Sequence, residues 1–150
     1  MTEKETQLLE IAKEIIELNK GINAKLTGSL MLAVMGLNKR REAVDIDIIC
    51  DYLCEKEDGF PIVPKEFKEC GIDGSRSEVS AIQFKNSDGL KVEFMYSEET
   101  AQEVNGVACG ELNWLIEAKQ KYAKNDKDEQ SKAKHALDLA YLFKNNTNLI

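Results

Sequence analysis

Two aspartates, Asp45 and Asp47, interrupt an otherwise apolar run, Ala43-Val44-Asp45-Ile46-Asp47-Ile48-Ile49-Cys50. Aspartate is disfavoured in strands, so a pair at this spacing carries chemical meaning. On a strand, residues two apart share a face, about 7 Å apart at their bases. Ile46 and Ile48 then turn the other way, into a core. Two carboxylates so placed repel each other unless a cation lies between them. Magnesium prefers carboxylate oxygens and keeps places for water and substrate phosphate. Two such ions about 3.5–4 Å apart stabilise the attacking and leaving oxygens of an in-line phosphoryl displacement. A solvated strand face can carry the same pair, so the neighbours must decide.

A third carboxylate is available in Leu90-Lys91-Val92-Glu93-Phe94-Met95-Tyr96. Val92, Phe94 and Tyr96 alternate there with Lys91, Glu93 and Met95, so Glu93 lies opposite the core stripe. It converges on Asp45 and Asp47 if the two strands are neighbours, and otherwise faces solvent beside Lys91. Gly28-Ser29 opens a short apolar stretch, seventeen positions before Asp45. A helix N-terminus offers free N–H groups and a positive partial charge suited to phosphate. Glycine permits close backbone approach and serine adds a hydroxyl. Serine is also a routine N-cap, so the turn gains meaning only from the aspartates that follow it.

The elements that must position these groups follow from periodicity. A helical stripe over residues 5–19 ends at Asn19-Lys20-Gly21, a suitable C-cap. Lys25–Thr27 is a very short strand, residues 30–37 a short buried helix, residues 39–41 a charged turn, and residues 43–50 a strand. Residues 51–78, with Pro61, Pro64, Gly59, Gly71 and Gly74, read as a looped excursion with a helix at 64–70. Strands at 79–85 and 90–96 are joined by Asn86-Ser87-Asp88-Gly89, a hairpin signal. A short strand at 104–109 and helices at 111–124 and 128–144 close the chain. The expected fold is α+β: one domain over residues 1–150, with a small mixed β-sheet flanked by helices and two helices at the C-terminal end.

Composition limits the partners. The chain has 150 residues, 43% hydrophobic and 31% charged, with a formal net charge of -7 and a pI near 4.9. Such a surface argues against strong non-specific nucleic-acid binding, though one basic pocket is compatible with it. No apolar run approaches the roughly 18 residues of a membrane span, and the acidic, periodic N-terminus is not a secretory signal. Cys50, Cys54, Cys70 and Cys109 read as reduced thiols, and the expected location is cytoplasmic. Their spacing, with His135 the one histidine, does not make a zinc site.

Thr27-Gly28-Ser29, a short helix, Val44-Asp45-Ile46-Asp47-Ile48 and a later strand with one acidic residue resemble the DNA polymerase β-type nucleotidyltransferase superfamily. The likeness is to its small bacterial branch of abortive-infection toxins and aminoglycoside- or lincosamide-modifying transferases. It covers about Leu26 to Tyr96, under half the chain. The resemblance implies that Gly28 and Ser29 hold the triphosphate, that Asp45 and Asp47 bind two Mg2+ ions, and that Glu93 shares the metal site and activates the acceptor hydroxyl. The family more often has aspartate at that third position.

The implied activity transfers a nucleoside monophosphate from a nucleoside triphosphate such as ATP to a hydroxyl on a small molecule, protein or RNA. The alternative is an inactive relative that binds a nucleotide or a partner protein, and a second copy of the chain is a further candidate partner. Lys119 falls on the apolar stripe of its helix, where it either snorkels to water or meets a phosphate. Arg40 and Arg41 either close a helix or grip phosphate. The toxin-like branch has a lysine in a similar helix, followed by a Lys-Asp-x-x-Asp-like pattern. Lys134-His135-Ala136-Leu137-Asp138 matches it in part, with His135 in place of aspartate. Lys134 and Asp138 read equally as a surface i,i+4 pair, and His135 as a solvated helix residue.

Overall fold

The computed structural model of the chain describes residues 1–53, 61–75 and 78–146. Helix α1 (Glu3–Leu18) is followed by β1 (Lys25–Thr27), α2 (Gly28–Val34) and β2 (Ile46–Cys50). Then come β3 (Lys68–Ser75), β4 (Glu78–Lys85), β5 (Lys91–Tyr96), β6 (Gln102–Val104) and β7 (Val107–Cys109). Helices α3 (Leu112–Asn125) and α4 (Glu129–Asn145) end the described chain. The strands form one sheet in the order β3-β4-β5-β2-β1-β7-β6. β2 runs parallel to β5, and β1 parallel to β7; the remaining pairings are antiparallel. The α+β class and the two C-terminal helices are as expected. Among the described residues no helix is long and apolar enough to cross a membrane.

The alternation in the strands decides which face is buried. Ile46, Ile48, Val92, Phe94 and Ile82 are at most 1% exposed, and Phe84 meets Phe94 edge to face at 5.8 Å. Side chains of this size contribute about 1.5–3 kcal/mol each on full burial. Leu8, Leu9, Ala12 and Ile15 of α1 join the same core. The opposite face of β2 and β5 is thereby left for polar residues.

Three local expectations change. The strand expected over 43–50 begins only at Ile46, so Asp45 lies in a bend before it and not on the strand. The predicted helix at 64–70 is absent: Pro64 opens a turn closed by Phe67 N–H on its carbonyl at 3.0 Å, and Lys68 begins β3. Pairing with β4 across two irregularities in register takes the segment into the sheet. The single strand at 104–109 is instead a hairpin of β6 and β7. Its turn residues Asn105 and Gly106 both have positive φ, 51° and 79°, the geometry for which Asn-Gly is favoured. Cys54 lies outside the described residues; Cys50 and Cys109 are buried free thiols and Cys70 is exposed.

α1 begins with a capping box, in which Glu5 N–H donates to Thr2 Oγ1 and Thr2 N–H to Glu5 Oε1, both at 3.1 Å. The same carboxylate accepts from Ala43 N–H at 2.9 Å and pairs with Lys39. Glu5 is 2% exposed, so α1 thereby fastens the connection between α2 and β2. Burial alone pushes this carboxyl up, but Ala43, Lys39 and Thr2 outweigh burial and hold it at about 2, below its usual 4.5. A lowered folded pKa stabilises above the unfolded pKa and ceases to do so as pH falls through the folded one. Glu5→Gln is therefore expected to cost about 2 kcal/mol at pH 7. Denaturant titrations of both proteins should show that gap narrowing from about pH 4.5 toward pH 2; an equal gap at pH 7 and pH 2.5 would refute the role.

Candidate active site

The register across the sheet gathers the predicted carboxylates. Thr27 of β1 stands opposite Asp47 of β2, Asp47 opposite Glu93 of β5, and Glu93 opposite Gln83 of β4. Cross-strand partners share a face, so these side chains form one polar row over an apolar sheet. Asp45, in the bend just before β2, lies close enough to Asp47 to repel its carboxylate. Asp45, Asp47 and Glu93 all line a cavity of about 580 Å³, together with Gly28, Ser29, Arg41, Lys91 and Lys119.

Gly28 is placed by a specific constraint. Its φ is +72°, and a Cβ there would come within 2.4 Å of Asp47 Oδ2, so only glycine lets this carboxylate lie against α2. Thr27, the residue before α2, makes no side-chain cap. Its hydroxyl is buried and has no hydrogen-bond partner among the described residues, although Thr27 lines the cavity. Ser29 lies next to it on the same cavity wall.

The acidic row is only partly compensated. Burial pushes the Asp47 carboxyl up, the Glu93 and Asp45 carboxylates push it further, and Lys91 and Lys119 only partly offset them, leaving it at about 6. Gln83 Nε2 donates to Glu93 Oε2 at 2.5 Å, occupying one oxygen of the third carboxylate and orienting the other. Among the described residues, no three His, Cys, Asp or Glu side chains are gathered tightly enough to cage a metal ion as they stand. Magnesium needs less than a cage, since it binds through one or two carboxylates plus waters and substrate phosphates. The mutual repulsion at Asp47 and the all-oxygen donor set suit such a hard cation.

The basic groups are held by one residue. Asp138 of α4 accepts from Arg40 Nε at 2.8 Å, from Arg41 Nη2 at 2.8 Å and from Lys119 Nζ at 3.4 Å. Its side chain is 12% exposed. Burial raises the Asp138 carboxyl, but the two guanidiniums and Lys119 overcome that and hold it at about 2. Burial pushes Lys119 down, as do Arg41 and Lys134, against the pull of Asp138. Lys119 is 8% exposed, so it does not snorkel to water but ends at the cavity.

Three expectations are adjusted. Asp138 is not half of a surface pair with Lys134; in three dimensions the α2–β2 connection and α3 bring it three cations. Arg40 does not line the main cavity, and its guanidinium bonds to Asp138 and to Lys134 O; Arg41, beside it, does line the cavity. His135 is half-buried against the Tyr122 ring and lines the cavity rather than facing solvent. Gln83 went unnoticed, and β4, with four polar residues among its eight, gave no signal that singled it out.

Asp138→Asn removes the one carboxylate from three cations. Stability is expected to fall by about 1–3 kcal/mol, with part of the loss restored by sulfate or phosphate; thermal melts with and without these anions check it. Gly28→Ala should cost about 1 kcal/mol or more from its positive φ and displace Asp47. A crystal structure of the variant with an unmoved Asp47 carboxylate would contradict the packing argument.

No family model matches the chain, and no curated protein matches it in sequence. Solved structures are similar in fold. JHP933 from Helicobacter pylori aligns with 99% of this chain and 69% of its own, at 17% identity and a TM-score of 0.57. A Helicobacter pylori protein provisionally named a nucleotidyltransferase aligns with 99% of this chain and 72% of its own, at 17% identity and a TM-score of 0.58. An antigenic nucleotidyltransferase-like protein from Paracoccidioides brasiliensis aligns with 95% of this chain and 76% of its own, at 13% identity and a TM-score of 0.52. With its seven-stranded mixed sheet and paired C-terminal helices, the chain has a nucleotidyltransferase-like fold.

Proposed function

We propose that the chain is a nucleotidyltransferase of the DNA polymerase β type, akin to the small bacterial branch, acting on a nucleoside triphosphate and an acceptor hydroxyl. One observation carries this reading: Asp47 and Glu93 stand opposite each other on parallel strands, in a cavity that also holds Asp45, Gly28, Ser29, Arg41 and Lys119. Gly28, Ser29 and the uncapped first turn of α2 receive the phosphate tail, whose charge Arg41 and Lys119 balance. Arg40 acts at one remove, through the carboxylate of Asp138.

Asp45, Asp47 and Glu93 would hold Mg2+. When bound, the ions would neutralise charge on the phosphates and on the leaving pyrophosphate. Glu93, oriented by Gln83, takes the proton of the acceptor hydroxyl as its oxygen bonds to the α-phosphorus. The bond from that phosphorus to the bridging oxygen breaks, and pyrophosphate leaves. The free, buried thiols of Cys50 and Cys109, pushed up to about 11 by burial, suit a reducing cytoplasm.

Mg2+ with a non-hydrolysable triphosphate is expected to raise the melting temperature, equivalent to about 2.7 kcal/mol at a hundredfold excess over Kd. Asp45→Asn combined with Asp47→Asn should abolish that rise; a rise that survives undiminished removes the site assignment. Pyrophosphate release from labelled triphosphates, offered with mixed protein, RNA and small-molecule acceptors, separates turnover from binding alone. Asp47→Asn should lower the release by at least about a hundredfold, the scale of an electrostatic catalytic group.

A further inference from the structure

Helix α3 presents to the cavity a surface that the phosphoryl chemistry leaves unused. Leu115 and Lys119 belong to the stripe that meets the core and Asp138. Trp114, Ala118 and Tyr122 follow one another at intervals of four, which sets them in a second stripe, and all three line the cavity. About 12 Å of helix separates Trp114 from Tyr122. Ala118 between them presents only a methyl group, Trp114 is partly buried against the core, and Tyr122 is the more exposed of the two rings.

This face brings aromatic rings to a cavity that also holds the charged Asp45, Asp47, Glu93, Arg41 and Lys119. His135 of α4 lies against Tyr122, with ring centroids 5.1 Å apart and planes inclined at 34°. Tyr122 is nevertheless 44% exposed, so its ring is not absorbed by core packing. Burial, Lys119 and Lys134 push the imidazole of His135 below its usual range, leaving an uncharged ring at neutral pH. Burial and the Glu93 and Asp47 carboxylates raise the Tyr122 phenol, which keeps its proton and stands near the acidic row.

We propose that the Trp114–Ala118–Tyr122 face of α3, backed by His135, is the subsite for the base of the nucleoside triphosphate. This rests on the nucleotidyl-transfer reading. With the phosphate tail against Ser29, Arg41 and Lys119, and the reacting phosphorus over Asp47 and Glu93, the sugar and base continue along α3. Tyr122 is the next residue on that path, one helical turn past Lys119. The cavity volume falls within the range of sites that enclose small ligands. Stacking on a ring tolerates every base, because each has a π-face. The subsite therefore takes all four nucleotides, with purines held more tightly than pyrimidines.

Calorimetric titration of the whole chain in Mg2+, with a non-hydrolysable ATP analogue and with inorganic tripolyphosphate, tests this. Tyr122→Ala should weaken the ATP analogue by roughly ten- to a hundredfold and leave tripolyphosphate unchanged. Tyr122→Trp should restore the affinity, His135→Ala should lower it less, and the fluorescence of Trp114 should respond to the nucleotide but not to tripolyphosphate. Equal ATP-analogue affinity in the wild type and Tyr122→Ala overturns the proposal, as does an equal loss of tripolyphosphate binding. If the wild type binds the two ligands alike, the base does not reach α3 and only this inference fails. If it binds neither, the nucleotidyl-transfer reading fails and takes this inference with it.

Discussion

The site depends on a carboxylate that is not part of it. Glu5 caps the first turn of α1, accepts from Ala43 N–H and pairs with Lys39, all from a fully buried position. The segment between α2 and β2 has no regular structure of its own, yet it carries Arg40, Arg41 and Asp45. Without an anchor such a connection would sample many conformations, each ordered residue costing about 1–2 kcal/mol of backbone entropy. Glu5 supplies that anchor within a few residues of both the basic and the acidic groups. The helix that looks remotest from the chemistry thus sets the spacing between its two charged arms.

Those arms are kept apart by a competition. Asp138 draws Arg40, Arg41 and Lys119 into one ion cluster, and its own carboxyl is stabilised in the charged form. Asp47 shares the neighbourhood but is left with Glu93 and Asp45 as its strongest charged neighbours, and its carboxyl is destabilised. Had Asp138 been absent, the cations would be free to neutralise the acidic row. Opposite charges within one cavity remain separated because a third party holds one set. Such unrelieved repulsion is characteristic of sites built to receive a ligand rather than to stabilise the fold.

Local patterns in the sequence reveal the elements well, and long-range pairings poorly. Lys25–Thr27 and the strand carrying Asp47 were legible because each alternates or breaks alternation within a few residues, although that strand begins only after Asp45. Glu93 was legible as a face assignment, while its meeting with Asp47 required the parallel pairing of β2 and β5, which no turn announces. Gln83 acquires its role only through Glu93. Asp138 looked like a helix-surface residue because two of its partners, Arg40 and Arg41, are some hundred positions away and Lys119 sits on another helix. The Asn105-Gly106 turn was readable in principle, being a strong hairpin signal between short runs. β3 was not, because its strand character comes from β4.

The attachment of the last two helices sets how the cavity breathes. α3 and α4 pack chiefly on each other, and the cavity lies between them and the sheet. They are tied back through Leu115 and Leu142, through the cluster at Asp138, and through a clasp in which Asn38 N–H donates to Asn146 Oδ1 and Asn146 Nδ2 to Asn38 O. No strand pairing crosses that boundary. Swinging the helical pair outward therefore breaks polar ties that water can replace and uncovers Leu115, Leu142 and the partly buried Leu112, Trp114 and Ile116, while the sheet stays whole. Sub-global opening of this kind lies at the low end of a protein's free-energy scale, and here its coordinate coincides with the route into and out of the cavity.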